Sequence, residues 1–230
     1  MSGHRMRRSL EAFYAFLSQP LFLGTRVALV LLVAPLVIAL ALPLWHIRLQ
    51  APQYPDGLSV DIYAHTLTSG HADKDLHEIN ILNHYVGMKK IERSAFADLD
   101  WLPFGFGALG ILLLRVAAIG DVRALLDLSV IVGYFASFSA GRFVYKLWVY
   151  GHELSPEAPV KVTPFMPPLL GSKQIGNFTS IAEPGAGTYA FTVFALGVIA
   201  VTIFHLVQGR RAAVRERPSL AVRAPATGGE

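Results

Sequence analysis

The stretch VALVLLVAPLVIALALPLW, residues 27–45, decides the fold class of this chain because it carries no charged side chain. A helix needs about 20 apolar residues to cross the roughly 30 Å hydrocarbon core of a bilayer. We therefore predict a first span over residues 21–45. Its apolar run exceeds the roughly 7–15 residues of a signal-peptide core. Pro43-Leu44-Trp45 also lacks a small-residue cleavage pattern, so a retained helix is favoured.

Three further apolar stretches predict spans over residues 101–120, 124–150 and 188–207. Hydrophobic residues form 53% of the chain and the mean hydropathy is +0.46, more apolar than typical soluble domains. A soluble protein would need four wholly apolar helices with little amphipathic cover, which is the disfavoured alternative. We expect an all-α membrane protein, a four-helix transmembrane bundle with a small α+β extracytoplasmic cap.

Basic residues predict how the spans are oriented. Arginines concentrate in residues 1–20, in the turn 120–123 and after residue 207, three segments that fall on one side of the bilayer. Cytoplasmic segments are enriched in Lys and Arg, so we predict both termini in the cytoplasm of a bacterium and the spans in its inner membrane. Residues 1–20 then form an arm with a short interfacial helix, and residues 208–230 form a basic disordered tail.

Two polar segments lie on the opposite side and make up the predicted cap. In residues 46–100, apolar and polar residues alternate over 58–65, which is typical of a half-buried strand. Residues 74–86 follow as a helix that stops at Gly87. Prolines are dense in the second segment, 151–187, and predict a stiff, extended arm.

The predicted helix 74–86 carries the most informative chemistry. His77 and His84 are seven residues apart and share one helix face, with Met88 just beyond the helix. Two imidazoles and a thioether suit copper. The imidazoles are about 10 Å apart along the axis, so a copper site would need further ligands, for which His152 is the candidate from the second segment. Other candidate ligands are His65, His71 and Met166. Copper binding is the alternative interpretation; a structural or partner-contact role for both histidines is favoured.

Composition and motifs exclude several functions. The chain has no cysteine, which removes thiolate catalysis, Cys-ligated metal centres and disulfides. The net charge of +4 comes without the basic, aromatic-interleaved stripe typical of nucleic-acid binding. Residues 105–110 satisfy G-x-G-x-x-G but follow Pro103 and no strand, so they do not predict a dinucleotide site. With no catalytic residue identified, a non-catalytic protein is favoured.

The third predicted span carries unusual residues for a membrane helix. Arg142 and Lys146 lie one turn apart near its outer end. Lys146 can extend to the interface, whereas the deeper Arg142 predicts a carboxylate partner from a loop or a neighbouring chain. Gly133, Ser137 and Gly141 repeat every four residues and predict a close packing face. In the second segment, Phe165 and Met166 form an apolar rim that we expect to contact a partner, the first segment or the membrane surface.

The segments from Glu78 to Met88 and from Phe165 to Phe178 resemble small four-span membrane proteins encoded beside periplasmic copper enzymes of the nitrous-oxide reductase type. The resemblance covers the two polar segments. It implies a role in assembly of, or electron transfer to, such an enzyme, and it assigns no ligands.

Three functions remain open. The leading hypothesis is an integral-membrane accessory subunit, embedded in the lipid bilayer, whose cap docks a membrane or periplasmic redox partner and handles copper. The rival is a membrane enzyme, or a quinone-, lipid- or haem-binding subunit of a larger respiratory or oxidase complex. Haem is disfavoured because His205 is the only histidine within a span, close to its inner end. A transporter ranks third, since four spans make a pathway only as an oligomer.

Overall fold

The structure, a computed structural model, describes residues 7, 11, 13–71 and 74–221, with side chains described up to residue 208. The named helices are α1 (Leu23–Leu31), α2 (Val33–Ala41), α3 (Lys74–Tyr85), α4 (Asp98–Ile119), α5 (Val122–His152) and α6 (Ala186–Ala221). The strands are β1 (Trp45–Ala51), β2 (Tyr54–Ile62), β3 (Leu67–Ser69), β4 (Gly171–Ile175) and β5 (Phe178–Pro184). A short 3₁₀ helix spans Arg93–Ala95. Residues 13–17 are helical as well, while Leu10, part of the predicted interfacial helix, lies outside the described residues.

Four helical stretches among the described residues are long and apolar enough to cross a membrane: Leu23–Ala41, Asp98–Ile119, Val122–His152 and Ala186–Gln208. The first comprises α1 and α2, which break at Leu32 because Pro35, one turn on, cannot donate to the i−4 carbonyl. The expectation of a mostly helical protein with four apolar helices and a small sheet is confirmed.

The outer surface of these helices is apolar. At most 28% of the residues in each apolar window are buried, and large side chains stand free on the surface. This is the surface expected of helices surrounded by lipid. The most exposed of these side chains are Leu23, Phe104, Ile111, Ile119 and Tyr134.

The helices pack on one another through a buried apolar core. Leu29 from α1, Leu113 from α4, Leu125 from α5 and Phe194 from α6 are fully buried in one cluster. On the side of the termini, His205 is buried and its Nδ1 lies 3.2 Å from Thr25 Oγ1.

A five-stranded antiparallel sheet of order β3-β2-β1-β5-β4 lies at the other end of the helices. Its central pair, β1 with β5, joins the segment after α2 to the segment before α6. The two polar segments are therefore one folded part, the sheet unit, which comprises the five strands and α3.

Helix α3 covers one face of the sheet. Ile79, Leu82 and Val86 pack against the inward side chains of the strands. Asn80 fixes the segment after the helix, since its side chain accepts from Ile91 N (2.7 Å) and donates to Ile91 O (3.0 Å). Tyr54 Oη donates to Glu78, and this hydrogen bond raises the pKa of Tyr54.

Several helix boundaries differ from those predicted for the spans. The first apolar helical stretch ends at Ala41, and Trp45 already belongs to β1. The second begins at Asp98, inside the segment assigned to the cap. The 151–187 segment, expected to be an extended arm, contains β4 and β5. Helix α6 continues past residue 207 to Ala221, into the stretch predicted as a disordered tail, whose remainder lies outside the described residues.

Candidate functional site

An apolar cavity of about 320 Å³ lies where the helices meet the sheet unit; we call it the lower cavity. Its wall includes the outer ends of α4, α5 and α6 and the start of β1. Aromatic rings form much of it, and Ala140 and Val144, which also line it, are exposed on α5. The cavity thus reaches the apolar surface of the helices. The aromatic lining residues include Trp45, Trp101, Phe106, Phe135, Phe143 and Phe191.

One ion pair stands in the wall of the lower cavity. Arg142 Nε donates to Asp98 Oδ1 (2.9 Å) and Arg142 Nη2 donates to Asp98 Oδ2 (3.1 Å), a bidentate arrangement. Trp101 Nε1 donates to the same carboxylate at 3.2 Å. Asp98 is thus the carboxylate that the sequence predicts for Arg142. The pair leaves no net charge on these two residues.

Lys146 lies beside this pair and is also engaged. Its ammonium donates to Ala95 O at 2.8 Å and lies 5.7 Å from the centre of the Phe96 ring. The expected extension of Lys146 toward the interface therefore ends on the segment before α4.

Two polar atoms of lower-cavity residues have no hydrogen-bond partner. Trp45 Nε1 and Ser139 Oγ are buried and unpaired, and both residues line the cavity. An indole N–H only donates, and a hydroxyl donates or accepts. Buried polar groups are normally paired; neither atom is exposed in the cavity as it stands, and a rotation of either side chain toward the cavity would let an acceptor from another molecule satisfy it.

A second, smaller cavity of about 80 Å³ lies above the first, between the inward face of the sheet and α3; we call it the upper cavity. Asn83 lines it, is 2% exposed, and has an unpaired side-chain nitrogen. Three buried side-chain polar atoms lack a partner in the part of the chain with described side chains, and all three belong to residues that line these cavities.

The two cavities are adjacent. Four residues, which we call the partition, line both of them. One of them, Phe143, contacts the residue with the unpaired indole, since its ring centroid lies 5.0 Å from that of Trp45. The partition residues are Ile62, Phe96, Phe143 and Lys146.

The predicted copper ligands are spread over different surroundings. His77 and His84 are exposed on α3. Met88 packs partly against the core beneath the sheet and lines the upper cavity. His152 stacks on Trp148, with its Nδ1 2.9 Å from Trp148 O. Within the described residues, no group of three or more His, Asp or Glu side chains is placed to hold a metal ion. Copper binding stays a prediction.

Phe165 and Met166, predicted to form a contact rim, make contacts within the chain. Phe165 packs against the core of the sheet unit, and its N–H donates to Gly151 O at 2.9 Å. Met166 O accepts from Lys173 Nζ at 3.0 Å. On α5, a Cβ added at Gly133 or Gly141 would meet nothing within 4 Å, so these positions of the predicted packing face do not contact another helix in this structure.

No family model matches this chain, and no curated protein or solved structure is similar to it. The resemblance to membrane proteins of copper-enzyme gene clusters therefore stays a prediction.

Sequence reasoning missed the three cavity residues with unpaired polar atoms. Asn83 had a readable signal, since it is a polar residue on the helix face of Ile79, Leu82 and Val86. Ser139 had none, because serine is common in membrane helices. Trp45 ends the first predicted span, and nothing in the sequence placed it in the wall of the same cavity as Ser139, which lies on α5.

Proposed function

We propose that this protein is an integral-membrane subunit that binds a neutral, lipid-soluble molecule in the lower cavity. In this proposal the four apolar helices form a transmembrane bundle and the sheet unit is its extracytoplasmic cap. The observation that carries the proposal is a pair of unpaired buried polar atoms, Trp45 Nε1 and Ser139 Oγ, on residues lining an apolar cavity of about 320 Å³.

The dimensions and walls of the cavity favour a small lipid-soluble ligand. Ligand sites are usually clefts of about 300–1,000 Å³ lined by apolar and aromatic residues with a few polar groups. The lower cavity falls at the small end of this range. Because Ala140 and Val144 are exposed on α5, a ligand dissolved in the bilayer has a lateral way in.

The polar groups favour a neutral ligand with an oxygen acceptor. The charges of Asp98 and Arg142 are already paired, and a charged ligand would lose its hydration among apolar walls. A quinone carbonyl or a lipid ester would accept from Trp45 Nε1 or Ser139 Oγ. This supports the quinone- or lipid-binding alternative predicted from the sequence.

The test compares two serines of α5. Protein in lipid nanodiscs is titrated with decylubiquinone, and binding is followed by quenching of the fluorescence of Trp45 and Trp101, which line the cavity. Ser139→Ala removes one hydrogen bond and is expected to weaken binding about 3–10-fold. Ser137→Ala, at an exposed position two residues away, is the matched control and is expected to bind like wild type.

Two results would contradict the proposal. One is tryptophan quenching that does not saturate with decylubiquinone and that is accounted for by the partitioning of decylubiquinone into bilayers without the protein. The other is an equal response of the Ser137 and Ser139 variants.

A further inference from the structure

We propose that the upper cavity is a second subsite for the same ligand and that Asn83 donates a hydrogen bond to a carbonyl-type oxygen there. The inference rests on the proposed function and deepens it, because it gives the ligand a second oxygen at a position separate from the first. The ligand class is then a lipid with two carbonyl oxygens, as in a quinone or a diacyl lipid.

Asn83 is the main evidence. It is buried to 2% exposure, and its side-chain nitrogen has no partner. That nitrogen can only donate, so the missing partner is an acceptor. The atom is not exposed in the upper cavity as it stands, so the amide must rotate toward the cavity to meet that acceptor. An unpaired buried amide is unfavourable, and a leucine at this position of the α3 apolar face would have packed without that cost. The presence of an amide is explained if an acceptor enters the cavity.

Two other polar side chains in the wall of the upper cavity are already engaged. Tyr150 Oη donates to Lys90 O at 2.9 Å, and Lys146 Nζ donates to Ala95 O at 2.8 Å. The remaining wall is largely aliphatic and aromatic. A cavity that holds one water needs about 10–15 Å³, whereas this one measures about 80 Å³, so it has room for a larger group than a single water.

The partition defines the route between the subsites. A ligand occupying both cavities lies between the four partition residues. Lys146 carries a charge, but its ammonium donates to Ala95 O. The other three, Ile62, Phe96 and Phe143, are apolar, so they suit the apolar part of a molecule whose oxygens reach Ser139 or Trp45 on one side and Asn83 on the other.

The experiment uses Asn83→Leu and three probes in the same nanodiscs, with empty nanodiscs as the partition blank. Decylubiquinone has two ring carbonyls, dioctanoylglycerol has two ester carbonyls, and decylbenzene has no oxygen. Asn83→Leu is expected to lower the affinity for one of the two carbonyl probes about 3–10-fold. Its affinity for decylbenzene is expected to stay within about twofold of the wild-type value, because that contact is purely apolar. The carbonyl probe that is weakened identifies the ligand source.

A second pair of variants guards against a folding defect in Asn83→Leu. Asn83→Ser and Asn83→Ala differ by one hydroxyl, so the serine variant is expected to bind the affected probe more tightly than the alanine variant. The inference is overturned if all three probes weaken equally or if none changes while Ser139→Ala still weakens binding. If no probe binds wild-type protein, the proposed function itself has failed.

Discussion

At the residue scale, Asp98 organises the polar wall of the lower cavity. It begins α4 and accepts hydrogen bonds from Arg142 on α5 and from Trp101. Its side chain is 13% exposed and that of Arg142 is 36% exposed. A guanidinium among apolar helices needs such a partner. The pair links α4 to α5 and leaves no net charge on these two residues, while the ammonium of Lys146 in the same wall donates to Ala95 O.

Replacing Asp98 by Asn leaves the guanidinium of Arg142 without its counter-ion. We expect a loss of about 1–3 kcal/mol in the free energy of unfolding, seen as a fall of about 3–10 °C in the melting temperature in detergent. Asp100→Asn is the control, because Asp100 is 69% exposed and pairs with Arg93 at the surface. That change should cost no more than about 0.5 kcal/mol. Equal melting of both variants would show that the Asp98–Arg142 pair does not stabilise the helices.

The sequence predicted part of this residue network. A carboxylate partner for Arg142 was expected because an arginine within a span is costly alone. The identity of that partner depends on how α4 is placed against α5, and Asp98 lies 44 positions from Arg142 along the chain. Asn83 and Ser139 matter because of the space beside them, which no local pattern encodes.

At the element scale, the proline-rich segment is fixed at the end of α5. Phe165 N donates to Gly151 O at 2.9 Å. A Cβ on Gly151 would overlap the Phe165 carbonyl oxygen and approach Pro167 Cδ to 2.7 Å. Only glycine allows this close approach, and it places Pro167 and Pro168 in the wall of the upper cavity.

Gly151→Ala is therefore expected to release the proline-rich segment from α5. We expect a destabilisation of about 1–3 kcal/mol from overpacking and faster tryptic cleavage after Lys161, which lies in that segment. Gly133→Ala on the same helix is the matched control, since a Cβ there meets nothing within 4 Å and alanine is the better helix former. Wild-type cleavage rates in the Gly151 variant would refute this account of the close approach.

The elements themselves were unevenly predictable. The four spans follow from hydropathy, and the α3 helix and the β2 alternation were read from periodicity. The β4–β5 hairpin was missed although Gly176-Asn177 between Ile175 and Phe178 is a two-residue hairpin signal. The pairing of β1 with β5 joins distant parts of the chain, and period-two alternation does not choose a partner strand.

At the scale of the whole molecule, the cavities exist because two kinds of structure meet. The helices pack through one apolar core, while the sheet unit packs around its own core with α3. Between the two cores, α4, α5 and the sheet leave space lined by apolar residues. Both proposed subsites lie in this space, so ligand binding depends on the relative placement of the helices and the sheet unit.

Photolabelling tests the central claim, that a lipid-soluble ligand enters the lower cavity, most directly. Protein in nanodiscs is irradiated with a diazirine-bearing decylubiquinone, and the labelled residues are mapped by mass spectrometry. We predict that label concentrates on residues 135–144 of α5 and is displaced by unlabelled decylubiquinone. Label confined to lipid-exposed residues such as Phe104 and Ile111, and unaffected by the competitor, would contradict the account.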